Sequence, residues 1–210
     1  MLLRVAHFSY NSIDIECDKN TFVCEGYYLD KTHMQIHNPK IKQSFLSTYS
    51  NKHNLHILKK SNHIDLEIVE QQSISNAQSF IKDIENKEMC STLSIRTRCE
   101  SSSRLFWKHL GLQSEAQYVV YSPMLSGSRM QLSFSVDVDF KKQQNLDSVG
   151  FYSIAFLSHN AEVEKKQLTK RGITTTAITS ITLTDGVKIR LFFALGDQNE
   201  LVEIYDVCAL

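Results

Sequence analysis

The feature that most constrains the fold is a strand-to-helix pattern that occurs three times along the chain. The three strand segments begin at His7, Thr92 and Ser153, and a helix-like stretch follows each one. Each copy also ends in a short strand in which a polar residue lies between two apolar ones: Leu66-Glu67-Ile68, Met130-Gln131-Leu132 and Val202-Glu203-Ile204. Such repetition predicts an α+β fold built from repeated βαβββ modules.

The helix signals are strongest in the third copy. Asn160 is placed to cap a helix over residues 161–171, Lys170 lies in its last turn, and Gly172 follows as the stop. A second helix is predicted within residues 101–111, and a weaker one within residues 18–29, where Gly26 disfavours helix. Strands are predicted at residues 92–98, 117–124, 130–136, 151–157, 173–184, 187–194 and 201–207.

Charge and cysteine content exclude several partners. Basic and acidic residues are equal at 23 each, so no net field attracts nucleic acid or an anionic membrane. The sequence has no apolar run near the roughly 20 residues that span a bilayer, and its start lacks the features of a signal peptide, so a cytoplasmic location is expected. The five cysteines are odd in number and form no CxxC pair, which argues against a disulfide framework or a thiolate zinc site.

Three stretches resemble the glyoxalase-like modules of the vicinal oxygen chelate superfamily. They are SIRTRCESSSRLFWKHLGL, GFYSIAFLSHNAEVEKKQLTKRGI and IRLFFALGDQNELVEIYDV. The resemblance covers residues 91–210 and extends to residues 1–75. It implies that two modules pair, that their sheets curl around a shared small-molecule cavity, and that the first and last strands of each module supply metal ligands.

The resemblance divides the chain into an N-terminal module at 1–75, a polar linker with a short helix at 76–90, and paired modules at 91–149 and 150–210. The first module then lacks a partner, which leaves a sheet edge unpaired. One solution is a homodimer in which two first modules meet and combine His7 and Glu67 from each chain. The other is that the first module packs against the second or third module of its own chain.

The three copies differ at the positions where the family carries its ligands. These are His7 and Glu67 in the first copy, Thr92 and Gln131 in the second, and Ser153 and Glu203 in the third. His7, Glu67 and Glu203 are thus candidate ligands for a divalent metal, and Glu67 and Glu203 are candidate catalytic bases. A cavity between the second and third modules would offer only one carboxylate, which is a poor set for zinc, nickel or iron.

Strand alternation places Thr92 and Arg96 on a polar face, opposite Leu93 and Ile95. In the resembled fold this polar face lines the cavity, so Thr92, Arg96, Gln131 and Ser153 are candidate ligand-binding residues, with Arg96 suited to a carboxylate or phosphate. Alternatively, this is a half-exposed antiparallel sheet whose polar side meets water.

Two functional classes remain open. The first is an enzyme acting on a small oxygenated metabolite, namely a metal-dependent lyase, isomerase or dioxygenase. The second is a metal-free protein that binds a small molecule, similar to the antibiotic-sequestering members of the superfamily. Five further histidines in the first third match no zinc signature and are expected to be solvated: His33, His37, His53, His56 and His63.

Overall fold

The computed structural model describes residues 2–71, 79, 81–87, 90–115, 117–121, 129–141 and 146–208. Three modules follow one another in it, each with one α-helix between strands. Within these residues no helix has both the length and the apolar character needed to cross a membrane. The four cysteines whose side chains are described, at positions 17, 24, 99 and 208, are free thiols.

The elements of each module are as follows. The first contains β1 Leu2–Asn11, α1 Ile15–Cys24, β2 Tyr28–His37, a 3₁₀ helix Lys40–Phe45, β3 Lys52–Lys59 and β4 Asp65–Glu70. The second contains β5 Ile81–Lys87, β6 Cys90–Thr97, α2 Glu100–His109, β7 Gln113–Glu115, β8 Gln117–Tyr121 and β9 Arg129–Val136. The third contains β10 Gly150–Ser158, α3 Ala161–Lys170, β11 Thr174–Thr175, β12 Thr179–Thr182, β13 Lys188–Leu195 and β14 Leu201–Val207.

Helix capping explains where two of the helices begin. The Asn160 side chain accepts a hydrogen bond from the Val163 amide at 3.1 Å, as predicted for α3. Asp14 accepts from the Cys17 amide at 3.1 Å and starts α1 in the same way. The predicted α+β fold is confirmed, and α2 and α3 match two of the predicted helices. The helix predicted at 18–29 is displaced: α1 covers Ile15–Cys24, and residues 28–29 begin β2. The predicted strand at 117–124 ends at Tyr121 in β8, and its last three residues lie outside the described residues.

The strands form two sheets. A nine-stranded sheet has the order β11-β13-β14-β10-β1-β4-β3-β2, with β12 also paired to β13. A five-stranded sheet has the order β5-β6-β9-β8-β7. The large sheet therefore joins the first module to the third through the antiparallel pair of β1 and β10, in which Phe8 lies opposite Ile154.

This topology corrects the predicted pairing of modules. The second and third modules were expected to share a barrel, whereas the third shares its sheet with the first. The edge of β1 is occupied by β10 of the same chain, so the predicted meeting of two first modules across a dimer axis is wrong in that form. Whether the chain forms a homodimer by another surface stays a prediction, as do the module boundaries.

The predicted linker at 76–90 contains a strand instead of a helix. Strand β5 pairs antiparallel with β6, and Ile84 lies opposite Leu93. It occupies the edge of β6 that corresponds to the edge of β1 covered by β10. The free edge of β6 is thus paired with a strand that is close in sequence, so the second module needs no partner module at this edge.

The core lies between each sheet and its helices. Phe8, Leu66 and Ile154 are fully buried on the helix side of the large sheet, and Leu93 and Ile95 are fully buried in the small one. Hydrogen bonds connect the two units: Arg171 Nη1 donates to the His109 carbonyl at 2.6 Å, and the Ser103 hydroxyl donates to Glu200. The second module is therefore fixed against the large sheet.

Candidate functional site

A cavity of about 250 Å³ lies on the inner face of the nine-stranded sheet, between the first and third modules. Alternation along the strands decides what faces it. On β3 the residues at 53, 55, 57 and 59 line the cavity, whereas Leu58 between them is fully buried in the core. On β4 the same rule directs Asp65 and Glu67 inward, and on β14 it directs Glu203 and Tyr205 inward.

Three candidate residues from two modules meet in this cavity. His7 on β1, Glu67 on β4 and Glu203 on β14 all line it. His7 Nε2 lies 3.4 Å from Glu67 Oε2, and the two side chains are only 13% and 15% exposed. The other carboxylate oxygen of Glu67 accepts a hydrogen bond from Ser9 Oγ at 3.2 Å. His7 Nε2 has no hydrogen-bond partner of its own among the described residues.

Strand register shows that Glu67 and Glu203 occupy equivalent positions. His7 and Ser153 each lie seven residues before the cap of the following helix, at Asp14 and Asn160. In the parallel pairs that follow, Glu67 lies beside Ser9 and Glu203 beside Ala155, which are two residues further along. The approximate two-fold relation of the modules thus places the two carboxylates on either side of the β1–β10 pair.

Burial favours the protonated form of several acids in the cavity. It raises the pKa of Glu203, and the negative charge of Glu67 raises it further, whereas Lys42 and His7 lower it. Burial likewise raises the pKa of Asp65. The phenol of Tyr205, whose ring centroid lies 6.0 Å from that of His7, also has its pKa raised by burial. Glu203 and Asp65 therefore hold their protons more tightly in this cavity than they would in water.

Two contacts bridge the opening of the cavity between the modules. Lys31 Nζ on β2 lies 2.9 Å from Asp185 Oδ2, in the turn between β12 and β13. The neighbouring contact joins His33 Nδ1 to Thr184 Oγ1 at 2.8 Å. These contacts tie the free edge of the first module to the hairpin of the third.

The second module contributes none of its candidate ligand-binding residues to this cavity. Thr92 and Gln131 lie side by side in the five-stranded sheet, and Arg96 Nη1 lies 3.3 Å from Asp137 Oδ2. Ser153 lies in the large sheet, where its hydroxyl donates to the Leu201 carbonyl at 3.1 Å. The structure thus separates Ser153 from the other three, and the cavity between the first and third modules is lined by none of the four.

Contrary to the sequence prediction, strand register also shows that Gln131 is not the second-module equivalent of Glu67. Thr92 lies seven residues before the helix cap at Cys99, so it corresponds to His7. Two residues further along, Ser94 pairs with Ser133. The position of Glu67 in the second module is therefore Ser133, not Gln131, and the second module carries no carboxylate or imidazole at either position.

The donor set does not fit the metal that the resemblance implies. Three of the four positions carry His7, Glu67 and Glu203, but the fourth is Ser153, whose hydroxyl is engaged with a backbone carbonyl. Among the described residues, no group of three or more histidine, cysteine, aspartate or glutamate side chains could hold a metal ion. In addition, the positive charge of Lys42 already acts on Glu203.

The arrangement of modules matches known structures. The chain covers 92–93% of glyoxalase I from Zea mays and of two variants of that protein, with 97% of this chain aligned, TM-scores of 0.56 to 0.59 and 10–12% identity. The chain has a glyoxalase-like fold. No protein-family model matches the sequence, and no curated protein sequence matches it. At this level of identity the likeness concerns the fold alone.

Two cavity residues received no role from the sequence. Lys42 lies in the 3₁₀ helix, which the βαβββ pattern does not include, and His53 was expected to be solvated. His33, His53 and His56 are in fact buried, and the first two line the cavity. Every second residue of β3 faces the cavity, namely His53, Leu55, Ile57 and Lys59. This period of two is the sequence signal that identifies a cavity-facing strand.

Proposed function

We propose that this protein binds a small oxygenated metabolite in the cavity between its first and third modules and transforms it by proton transfer. The observation that carries the proposal is the convergence of His7, Glu67 and Glu203 from separate strands on one cavity. A cavity of about 250 Å³ suits a ligand of a few heavy atoms. Its aliphatic wall, which includes Ile57, Ile181 and Ile189, offers apolar contacts to that ligand.

The two glutamates suit complementary roles. Burial raises the pKa of Glu203, so this carboxyl can deliver a proton to an oxygen atom of the substrate. Glu67 accepts a hydrogen bond from Ser9 and faces His7, so its carboxylate is oriented to remove a proton from carbon. Paired acids in different environments are the usual arrangement for isomerisation or elimination next to a carbonyl group.

The divalent metal suggested by the family resemblance has no part in this proposal, because the described side chains provide no group of three or more metal ligands and the positive charge of Lys42 acts on Glu203. The same observation favours a second candidate, a protein that binds its ligand in a metal-free cavity without converting it. The two candidates predict the same ligand contacts. They differ in whether the C–H protons of the ligand exchange with solvent.

Deuterium exchange separates the candidates. The full chain is incubated with hydroxyacetone in D₂O, and loss of the substrate C–H signals is followed by ¹H NMR. An enzyme will catalyse exchange, and Glu203→Gln and Glu67→Gln will each slow it by about 100-fold or more. The exposed Glu25→Gln is the matched control and should leave the rate unchanged.

The methyl groups of Ile57, Ile181 and Ile189 report binding in the same samples. Shifts of these methyl signals without exchange would support the binding protein. If hydroxyacetone and a panel of related small ketones and hydroxy acids leave all three signals unmoved, the cavity is not a ligand site and both candidates fail.

A further inference from the structure

We infer that Lys42 and His53 form an anion-binding end of the cavity, so that the substrate is a small molecule carrying a carboxylate or phosphate group. This inference rests on the proposed function, because it names the class of ligand for the same cavity. It is carried by two observations: both side chains line the cavity, and the buried Nδ1 of His53 has no hydrogen-bond partner among the described residues.

Lys42 brings a positive charge into a cavity whose base is acidic. Its side chain lines the cavity and is half-buried. Within the described part of the chain, its ammonium group forms neither an ion pair nor a hydrogen bond that would neutralise it. Its field reaches both Glu203 and His53, since it lowers the pKa of each. A partly desolvated ammonium group without a carboxylate partner is suited to an anionic ligand.

His53 adds a neutral hydrogen-bonding group beside this charge. The side chain is 3% exposed and lines the cavity, and its buried Nδ1 has no hydrogen-bond partner among the described residues. Burial and the nearby Lys42 lower the pKa of His53, so the ring is uncharged at neutral pH. A buried polar atom without a partner is costly, and a ligand oxygen that bonds to it would remove that cost.

The segment that carries Lys42 is held in place from both sides. The Lys42 amide donates to the Pro39 carbonyl at 2.9 Å. Phe45 at the end of the 3₁₀ helix packs edge-on against Phe193 of the third module at 5.6 Å between ring centroids. The Leu146 amide donates to the Phe45 carbonyl at 2.7 Å. The ammonium group is therefore supported by a fixed backbone, which favours a preorganised subsite over a mobile surface lysine.

The charge pattern determines how a ligand would lie. An anionic group is attracted to the charge of Lys42 and can bond to His53, and the rest of the molecule then meets Glu67 and Glu203, which line the same cavity. A compound with an acid group next to an oxygenated carbon satisfies both ends within about 250 Å³. Carboxylate and phosphate share this chemistry, and direct titration distinguishes them.

The test uses the full chain with labelled isoleucine methyl groups and three probes: pyruvate, inorganic phosphate and hydroxyacetone. We expect pyruvate or phosphate to shift the signals of Ile57 and Ile189, which line the cavity. Lys42→Met should weaken anion binding by about tenfold or more, the loss expected for one charge-assisted contact. His53→Gln should weaken it as well, and neither change should affect hydroxyacetone to that extent.

Lys40→Met is the matched control, because Lys40 is exposed on the same 3₁₀ helix and does not line the cavity. Unchanged signals from Ile36 and Ile95, which are buried elsewhere, will show that each variant remains folded. Binding of pyruvate alone assigns a carboxylate, binding of phosphate alone assigns a phosphate ester, and binding of both supports either anion.

The inference is overturned if Lys42→Met binds the anions as the unmodified chain does. It also fails, while the proposed function stands, if hydroxyacetone shifts the cavity signals and neither anion does. If none of the three probes binds, the inference and the proposed function fail together.

Discussion

Glu203 is a residue whose ionisation opposes folding. Burial raises its pKa above the ordinary value of 4.5, so the folded chain binds this proton more tightly than the unfolded chain does. Stability therefore falls as pH rises from the unfolded pKa through the folded one. A functional carboxyl group that costs stability in this way is common at active sites.

The variant Glu203→Gln should accordingly be more stable than the unmodified chain at pH 8, by roughly 0.5–2 kcal/mol, because an uncharged amide replaces a buried charge. The difference should shrink toward pH 3, well below the ordinary value of 4.5, where Glu203 is protonated in both states. Urea unfolding at the two pH values measures it. The exposed Glu25→Gln should show no such dependence, and an equal effect of the two substitutions would contradict the assignment.

At the scale of single residues, the sequence predicted part of the candidate site. His7, Glu67 and Glu203 were found because their positions match the family pattern, and the structure brings all three to one cavity. Lys42 was missed because it lies on a segment outside the repeated module. Thr92, Gln131 and Arg96 were assigned to a cavity because alternation shows which side of a strand is polar, but not whether a second sheet faces it.

The segment of residues 40–47, which contains the 3₁₀ helix, is held in place by one acidic side chain from the segment that precedes β10. Asp147 is fully buried, and its Oδ2 accepts from the Ser47 amide at 2.7 Å and from the Ser47 hydroxyl. These bonds join residues 40–47 to the segment that precedes β10. The position of the Lys42 segment is thus coupled to the connection between the second and third modules.

Asp147→Ala should therefore loosen residues 40–47. The lost hydrogen bonds should reduce the free energy of unfolding by about 1–3 kcal/mol, and the Ser47 amide should exchange with solvent faster. Hydrogen exchange followed by NMR provides the measurement. Asp139→Ala, at an exposed position, serves as the control. Equal exchange of the Ser47 amide in both variants would argue against this role for Asp147.

Strand β5 has a second element-scale role, since it covers the open edge of β6 and packs against β10. Ile81 at its start is only 4% exposed, whereas Ile84 is half-buried. Ile81→Ala should reduce the free energy of unfolding by about 2–5 kcal/mol, and Ile84→Ala by less. Urea denaturation of both variants is the measurement. A larger effect at Ile84 would show that β5 contributes by pairing more than by packing.

The sequence could not reveal β5 as a strand for a physical reason. Its residues, IKDIENK, carry four charged side chains, because one face and the outer edge meet solvent. A polar edge strand has the same composition as a linker, and only pairing with β6 distinguishes them. The helices, in contrast, were predicted from capping residues such as Asn160, whose effect is local.

At the scale of the whole molecule, the sheet joins residues that are distant in sequence. Strands from residues 2–70 and 150–207 share it, and the second module lies between them in the chain. The sequence predicted three modules, but every module has similar strands, so alternation could not decide which two would pair. Pairing is decided by which strand edges remain free, and β5 removes the free edge of β6.

A fragment of residues 76–210 tests this arrangement directly. It retains the second and third modules but lacks β1, so one edge of β10 loses its hydrogen-bonded partner and the fully buried Ile154 loses the cover of Phe8. We expect this fragment to aggregate or to give poorly dispersed NMR spectra, whereas the full chain gives dispersed spectra. Co-expression with residues 1–75 should restore the folded state, because β1 can then pair with β10 as it does in the intact chain. A monomeric, well-dispersed fragment without that addition would mean that the third module does not require the first, and that the pairing of β1 with β10 is not what holds the cavity together.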